Sequence, residues 1–119
     1  MQYLLLIYSN EKEFADLPEA KATAMSAEYM ALTKAMVESG HLRGGERLHP
    51  TNAATTVRVR DGKTLTTHGP FAETREQLGG FYLVEAKDLD EATALAARIP
   101  GARIGSIEVR PIFPMPARA

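Results

Sequence analysis

The sequence predicts an α+β domain built as a ferredoxin-like sandwich in the order β-α-β-β-β-α-β. Three observations carry this. Short apolar runs rich in branched and aromatic residues bracket two segments whose apolar residues recur every three or four positions. An Asp61-Gly62 pair sits between two alternating stretches, the signature of a tight hairpin turn. With 119 residues, the chain has the length of one domain, 1–119, with one core.

The elements follow in order. Tyr3–Tyr8, YLLLIY, reads as a central strand, and residues 10–17 as a polar loop. Asp16 with Glu19 three positions on has the spacing of a helix start. Ala22, Met25, Tyr29, Leu32 and Met36 then form one apolar stripe, and Gly40 stands where a left-handed cap ends a helix. Residues 42–50, with Gly44-Gly45, show no clear period. Residues 53–60 and 63–67 form the two arms of the hairpin, the second delivering His68. Thr74 to Gln77 matches a capping box and predicts one helical turn closed by Gly79. Residues 80–86 read as a strand. Asp88 and Glu91 repeat the capping spacing and open a helix with Leu89, Ala92, Leu95, Ala96 and Ile99 inward, stopped at Pro100-Gly101. Residues 104–110 give the last strand, and the proline-rich 111–119 reads as an extended tail.

Two helices cover one face of such a sheet. Yet Phe81 and Leu83 share one face of their strand while Tyr82 and Val84 share the other, and YLLLIY is apolar on both faces. An uncovered apolar face of that size predicts a homodimer joined through the sheet face.

Composition narrows the function. A net charge of -1 with scattered basic residues argues against a nucleic-acid partner. The run at Tyr3–Tyr8 is too short to span a membrane and lacks the flanks of a signal peptide. The absence of cysteine removes disulfides, thiol nucleophiles and Cys-ligated zinc, and fits a cytoplasmic protein. No cofactor motif is present: the Gly79-Gly80 pair lacks the context of a phosphate cradle. His41 and His49 have no carboxylate at ligand spacing, so a metal site would require the fold to gather them with His68.

The stretch HGPFAETREQLGGFYLVEA, 68–86, holds the chemically interesting side chains. His68 precedes a rigid Gly-Pro turn, where a histidine either transfers protons or bonds to nearby backbone. Glu73 is its candidate catalytic companion, and Arg75 a candidate anchor for an anionic substrate. Each also has a plain surface reading, a carboxylate at a helical turn or an ion pair. Phe71 is expected in the core or a pocket wall. Tyr29 is expected to pack its ring in the core or to offer its hydroxyl to a cavity, and Tyr82 to lie on the dimer-facing or pocket-facing side of the sheet.

GPFAETREQLGGFYLVEA, followed by DLDEATALAARIP and IGSIEVRPI, resembles the YCII-related proteins of the DGPF type, and nearly the whole chain shares the likeness. The resemblance implies a dimeric α/β barrel assembled from the ferredoxin-like unit. It also implies a link, in some members, to extracytoplasmic-function sigma factors. His68 stands where the family motif has Asp, which puts imidazole where relatives carry a carboxylate. Three readings remain open at this stage: a small-molecule enzyme working by acid/base chemistry without a cofactor, a non-catalytic ligand-sensing or regulatory dimer, and a purely structural dimer in which the 68–86 stretch is a folding device.

Overall fold

A computed structural model describes residues 1–116, and its main sheet is assembled from both ends and the middle of the chain. Strand β1 (Gln2–Ser9) lies at the centre, flanked by β5 (Gln77–Glu85) and β6 (Ser106–Pro111), with β2 (Leu42–Arg47) outside β5. The order β2-β5-β1-β6 is antiparallel throughout. Helix α2 (Glu19–Glu38) connects β1 to β2, and α3 (Leu89–Ala97) connects β5 to β6. The two β-α-β passes interleave their strands, which is the ferredoxin-like arrangement. Strands β3 (Thr55–Arg60) and β4 (Lys63–His68) form a separate two-stranded sheet.

The core lies between one sheet face and the helices. Tyr3, Leu5, Tyr82 and Val84 point to it from β1 and β5, and pack with Leu32, Met36, Ala92, Leu95, Ala96 and Ile99. Leu5, Met36, Val84 and Ile99 are fully buried, each contributing about 1.5–3 kcal/mol by leaving water. The opposite face carries Leu4, Leu6 and Tyr8 beside Phe81 and Leu83, all half-exposed, with no helix over them among the described residues. The expected split of Phe81 and Leu83 from Tyr82 and Val84 is therefore seen in the register.

Local signals account for several boundaries. Asp88 caps α3, its Oδ1 accepting the Glu91 N–H at 2.9 Å. Gly40 has φ +78 just beyond α2, the left-handed turn read from the sequence. Asp61 and Gly62 both have positive φ, as a two-residue hairpin of this hand requires.

Other expectations are corrected. Residues 11–15 form a short helix, α1 (Glu11–Ala15), capped by Asn10, whose Oδ1 accepts from Glu13 N–H at 3.0 Å. Asp16 ends that helix rather than starting the next, and α2 begins after Pro18. Ala22 and Leu89 are exposed, not inward. Residues 42–47, read as irregular, are the edge strand β2. The helical turn at Thr74–Gln77 does not form: Thr74 Oγ1 donates to Glu76 O at 2.6 Å, and strand β5 starts at Gln77, so Gly79 lies inside a strand. The hairpin, expected in the sheet, stands apart from it, and Pro111 is the last residue of β6 rather than the first of the tail. Residues 117–119 of the tail lie outside the described residues.

Candidate functional site

A cleft of about 730 Å³ opens between α2 and the β2–β5 side of the sheet. Met25, Tyr29 and Thr33 line it from α2, one helical face spaced by four. Gly45 and Arg47 line it from β2, Tyr82 from β5, and Gly101 from the turn after α3. The volume is that of an ordinary small-molecule site. It exists because β2 is stripped of side chains where it runs past the helix. A Cβ on Gly45 would meet Phe81 O and Tyr82 Cδ1 at 2.9 Å, and one on Gly80 would meet Glu46 O at 2.7 Å. Both glycines let β2 and β5 approach closely, and leave open space over the strands.

The hydrogen bonds assign polarity inside the cleft. The Thr33 hydroxyl donates to Tyr29 O at 2.9 Å, the usual bond back along a helix. Thr33 Oγ1 also lies 2.9 Å from Tyr82 Oη. A threonine has one hydroxyl proton, so with that proton committed, Tyr82 donates to Thr33 and its own lone pairs stay available. Tyr29 is the reverse case. Its Oη accepts the Gly101 N–H at 3.1 Å, which leaves its O–H free to donate. Burial raises the Tyr29 phenol above its ordinary value of 10.0, opposed by the Gly101 hydrogen bond and the positive charges of Arg103 and Arg47. The cleft thus offers one phenol as donor and another as acceptor.

Arg47 supplies charge at the cleft wall. Its guanidinium lies 5.9 Å from the centre of the Phe14 ring and has no ion pair among the described residues. His49 and Glu11 also line the cleft. Glu11 is committed elsewhere, accepting from Thr51 N–H at 2.6 Å and Thr51 Oγ1 at 2.8 Å, so that it fastens the 48–54 segment to α1. A free guanidinium beside two phenols suits a ligand with a carboxylate or similar acidic group.

Of the residues singled out from the sequence, Tyr29 and Tyr82 line this cleft, and they meet through Thr33. His68, Phe71, Glu73 and Arg75 do not line it. His68 ends β4 opposite Thr55 and is exposed. Glu73 and Arg75 are exposed in the loop before β5, and Phe71, expected in a core or pocket wall, is 78% exposed in the protomer. Glu76 is held, accepting from Ser106 Oγ at 2.8 Å. No three His, Asp or Glu side chains converge as a metal site among the described residues.

Sequence reasoning passed over Thr33, Arg47 and Glu11, and weighed His49 only as a metal ligand. It also left His41 without a carboxylate partner, whereas Glu91 lies 3.1 Å from His41 Nε2 and Ser39 Oγ 2.7 Å from its Nδ1. This chain has the composition of a catalytic triad, but none of its members lines the cleft. It joins the end of α2 to the start of α3.

Residues 1–116 match the YCII-related domain. An uncharacterized protein of Rhizobium meliloti (strain 1021) is similar, 40% identical over 114 residues that make up 94% of this chain and 92% of that protein. The chain belongs to the YCII-related family.

Proposed function

We propose that this YCII-related protein, of the DGPF type, is a homodimer that binds a small organic acid in the cleft between α2 and the sheet. The observation that carries the reading is Arg47, without an ion pair among the described residues, at the wall of a cleft that also presents the Tyr29 hydroxyl. The guanidinium takes the acidic group. The Tyr29 O–H meets an acceptor and the Tyr82 oxygen a donor, and Met25, Ile7 and Phe14 surround the apolar body. The dimer reading is supported by the uncovered sheet face with Leu4, Leu6, Phe81 and Leu83. Acid/base catalysis by His68 with Glu73, and substrate binding by Arg75 and Phe71, require a second copy to bring their loop to a cleft, since none lines the cleft of its own protomer.

The test is a thermal-shift series with small mono- and dicarboxylic acids on wild type and Arg47→Ala. A ligand at a hundred times its Kd stabilises the folded state by about 2.7 kcal/mol. The expected result is a shift with wild type that falls by more than half in Arg47→Ala. Shifts of equal size in both proteins would contradict a cleft anchored by Arg47.

A further inference from the structure

We infer that the acid bound in this cleft is a hydroxy acid, held by Arg47 at its carboxylate and by the Tyr82 oxygen at its hydroxyl. The inference rests on the proposed function and narrows its ligand to one class.

The sheet register turns both groups to the same side. Side chains alternate between faces along a strand, so Gly80, Tyr82 and Val84 share the helix-facing side of β5, and Phe81 and Leu83 the open side. Gly80 pairs with Arg47 and Tyr82 with Gly45, which puts Arg47 and Gly45 on the helix-facing side of β2. Arg47 and Tyr82 are therefore diagonal neighbours, with Cα atoms about 7–8 Å apart. A Cβ on Gly45 would stand 2.9 Å from Tyr82 Cδ1 and 3.5 Å from Tyr82 Cε1, so the Tyr82 ring leans across β2 over this glycine. The lean carries its hydroxyl to Thr33 on α2. The Tyr29 phenol, raised first by burial, also feels Tyr82 and Arg47, so the three groups serve one space.

Proton accounting then sets what the ligand must bring. Thr33 gives its one proton to Tyr29 O, so Tyr82 gives its own to Thr33 and is left as an acceptor. Tyr82 is buried, and among the described residues its oxygen meets no group but Thr33 Oγ1. A buried acceptor without a donor costs free energy, and a ligand that supplies the donor recovers it. An ionised carboxylate only accepts, so the donor is a second group on the acid.

The wall selects between a hydroxyl and an ammonium. An ammonium calls for a carboxylate, and those of the cleft wall are Glu11 and Glu46. Glu11 spends both oxygens on Thr51, and Glu46, opposite Phe81, belongs to the open face of the sheet. Arg47 repels a second cation in the same space. A neutral hydroxyl meets the Tyr82 oxygen without either penalty.

Ile7, Phe14 and Met25 give the cleft an apolar wall that accepts a phenyl ring, so arylacetic acids serve as probes. The experiment is isothermal titration calorimetry of the full chain with phenylacetate, mandelate, meta- and para-hydroxyphenylacetate, benzoylformate and phenylglycine. The tightest hydroxy acid is expected to bind wild type roughly tenfold or more tightly than phenylacetate, with benzoylformate and phenylglycine no tighter than phenylacetate. Tyr82→Phe, which keeps the ring over Gly45, should erase that preference. Thr33→Val removes the acceptor of the Tyr82 proton, so benzoylformate should then bind as tightly as the hydroxy acid. Circular dichroism confirms that each variant is folded. A hydroxy-acid advantage that is absent in wild type, kept in Tyr82→Phe, or kept over benzoylformate in Thr33→Val overturns the inference and leaves the acid-binding reading standing. Tightest binding by phenylglycine does the same. Equal binding of all the acids by wild type and Arg47→Ala, or no binding by wild type, overturns the acid-binding reading and the inference with it.

Discussion

The backbone N–H of Gly101 donates to the hydroxyl oxygen of Tyr29 at 3.1 Å, fastening the turn after α3 to the middle of α2. Gly101 is buried, and a Cβ there would stand 2.7 Å from Tyr29 Oη and 3.2 Å from Ile7 Cγ2. The one contact fixes both the packing of the turn and the donor state of a cleft phenol.

Gly101→Ala is therefore expected to push the Tyr29 ring aside. The cost is about 1–3 kcal/mol, the usual penalty for overpacking a closed site. Urea unfolding of the purified variant reads it directly as a lower midpoint at unchanged slope.

Tyr29 is expected to ionise later than an ordinary phenol. Burial holds its pKa above 10.0 in the folded protein. A raised folded value means that its contribution to stability is complete below about pH 10 and fades as pH rises toward the folded value. Absorbance titration at alkaline pH should lose a late phenol step in Tyr29→Phe. The same variant should show a shallower loss of stability above pH 10 than wild type. An unaltered titration curve in the variant would show that the phenol is not shielded.

Gly80→Ala should loosen the β2 edge. Its Cβ would meet Glu46 O at 2.7 Å and Arg47 Cα at 3.4 Å, and backbone cannot swing away as a flexible side chain does. Faster amide exchange across 42–47, with α3 unaffected, is the expected signature; uniform exchange throughout would mean that β2 and the core open together.

Asp88→Ala removes the side-chain acceptor at the start of α3 and should cost about 1 kcal/mol. Asp88→Asn, which keeps an acceptor, should restore most of it. Equal losses in both variants would point to charge at the helix start rather than to the cap.

These cases also mark what was legible in the sequence. Asp88, Gly40 and the Asp61-Gly62 turn act on their own neighbours, so their residue types suffice. Strand β2 is different. LRGGER has neither the composition nor the period of a strand, and it becomes one because β5 offers a partner and two glycines allow the approach. Thr74 to Gln77 shows the converse: a valid capping pattern gives way to a side-chain bond from Thr74 to Glu76 O and to pairing of Gln77 with Ser9. The cleft was half legible. The stripe spacing put Tyr29 on the inward side of its helix, but Arg47 comes from the strand that was not seen, and His49 from the loop beyond it. The dense motif at 68–76 drew attention to side chains that are exposed in the protomer.

The most direct measurement is an amide NMR titration of the labelled protein with the carboxylic acid that gives the largest thermal shift. Binding in the cleft should move the resonances of Thr33, Gly45, Arg47 and Gly101, which surround it. Shifts confined to residues 68–76, with Gly101 still, would contradict the cleft and transfer the site to that loop.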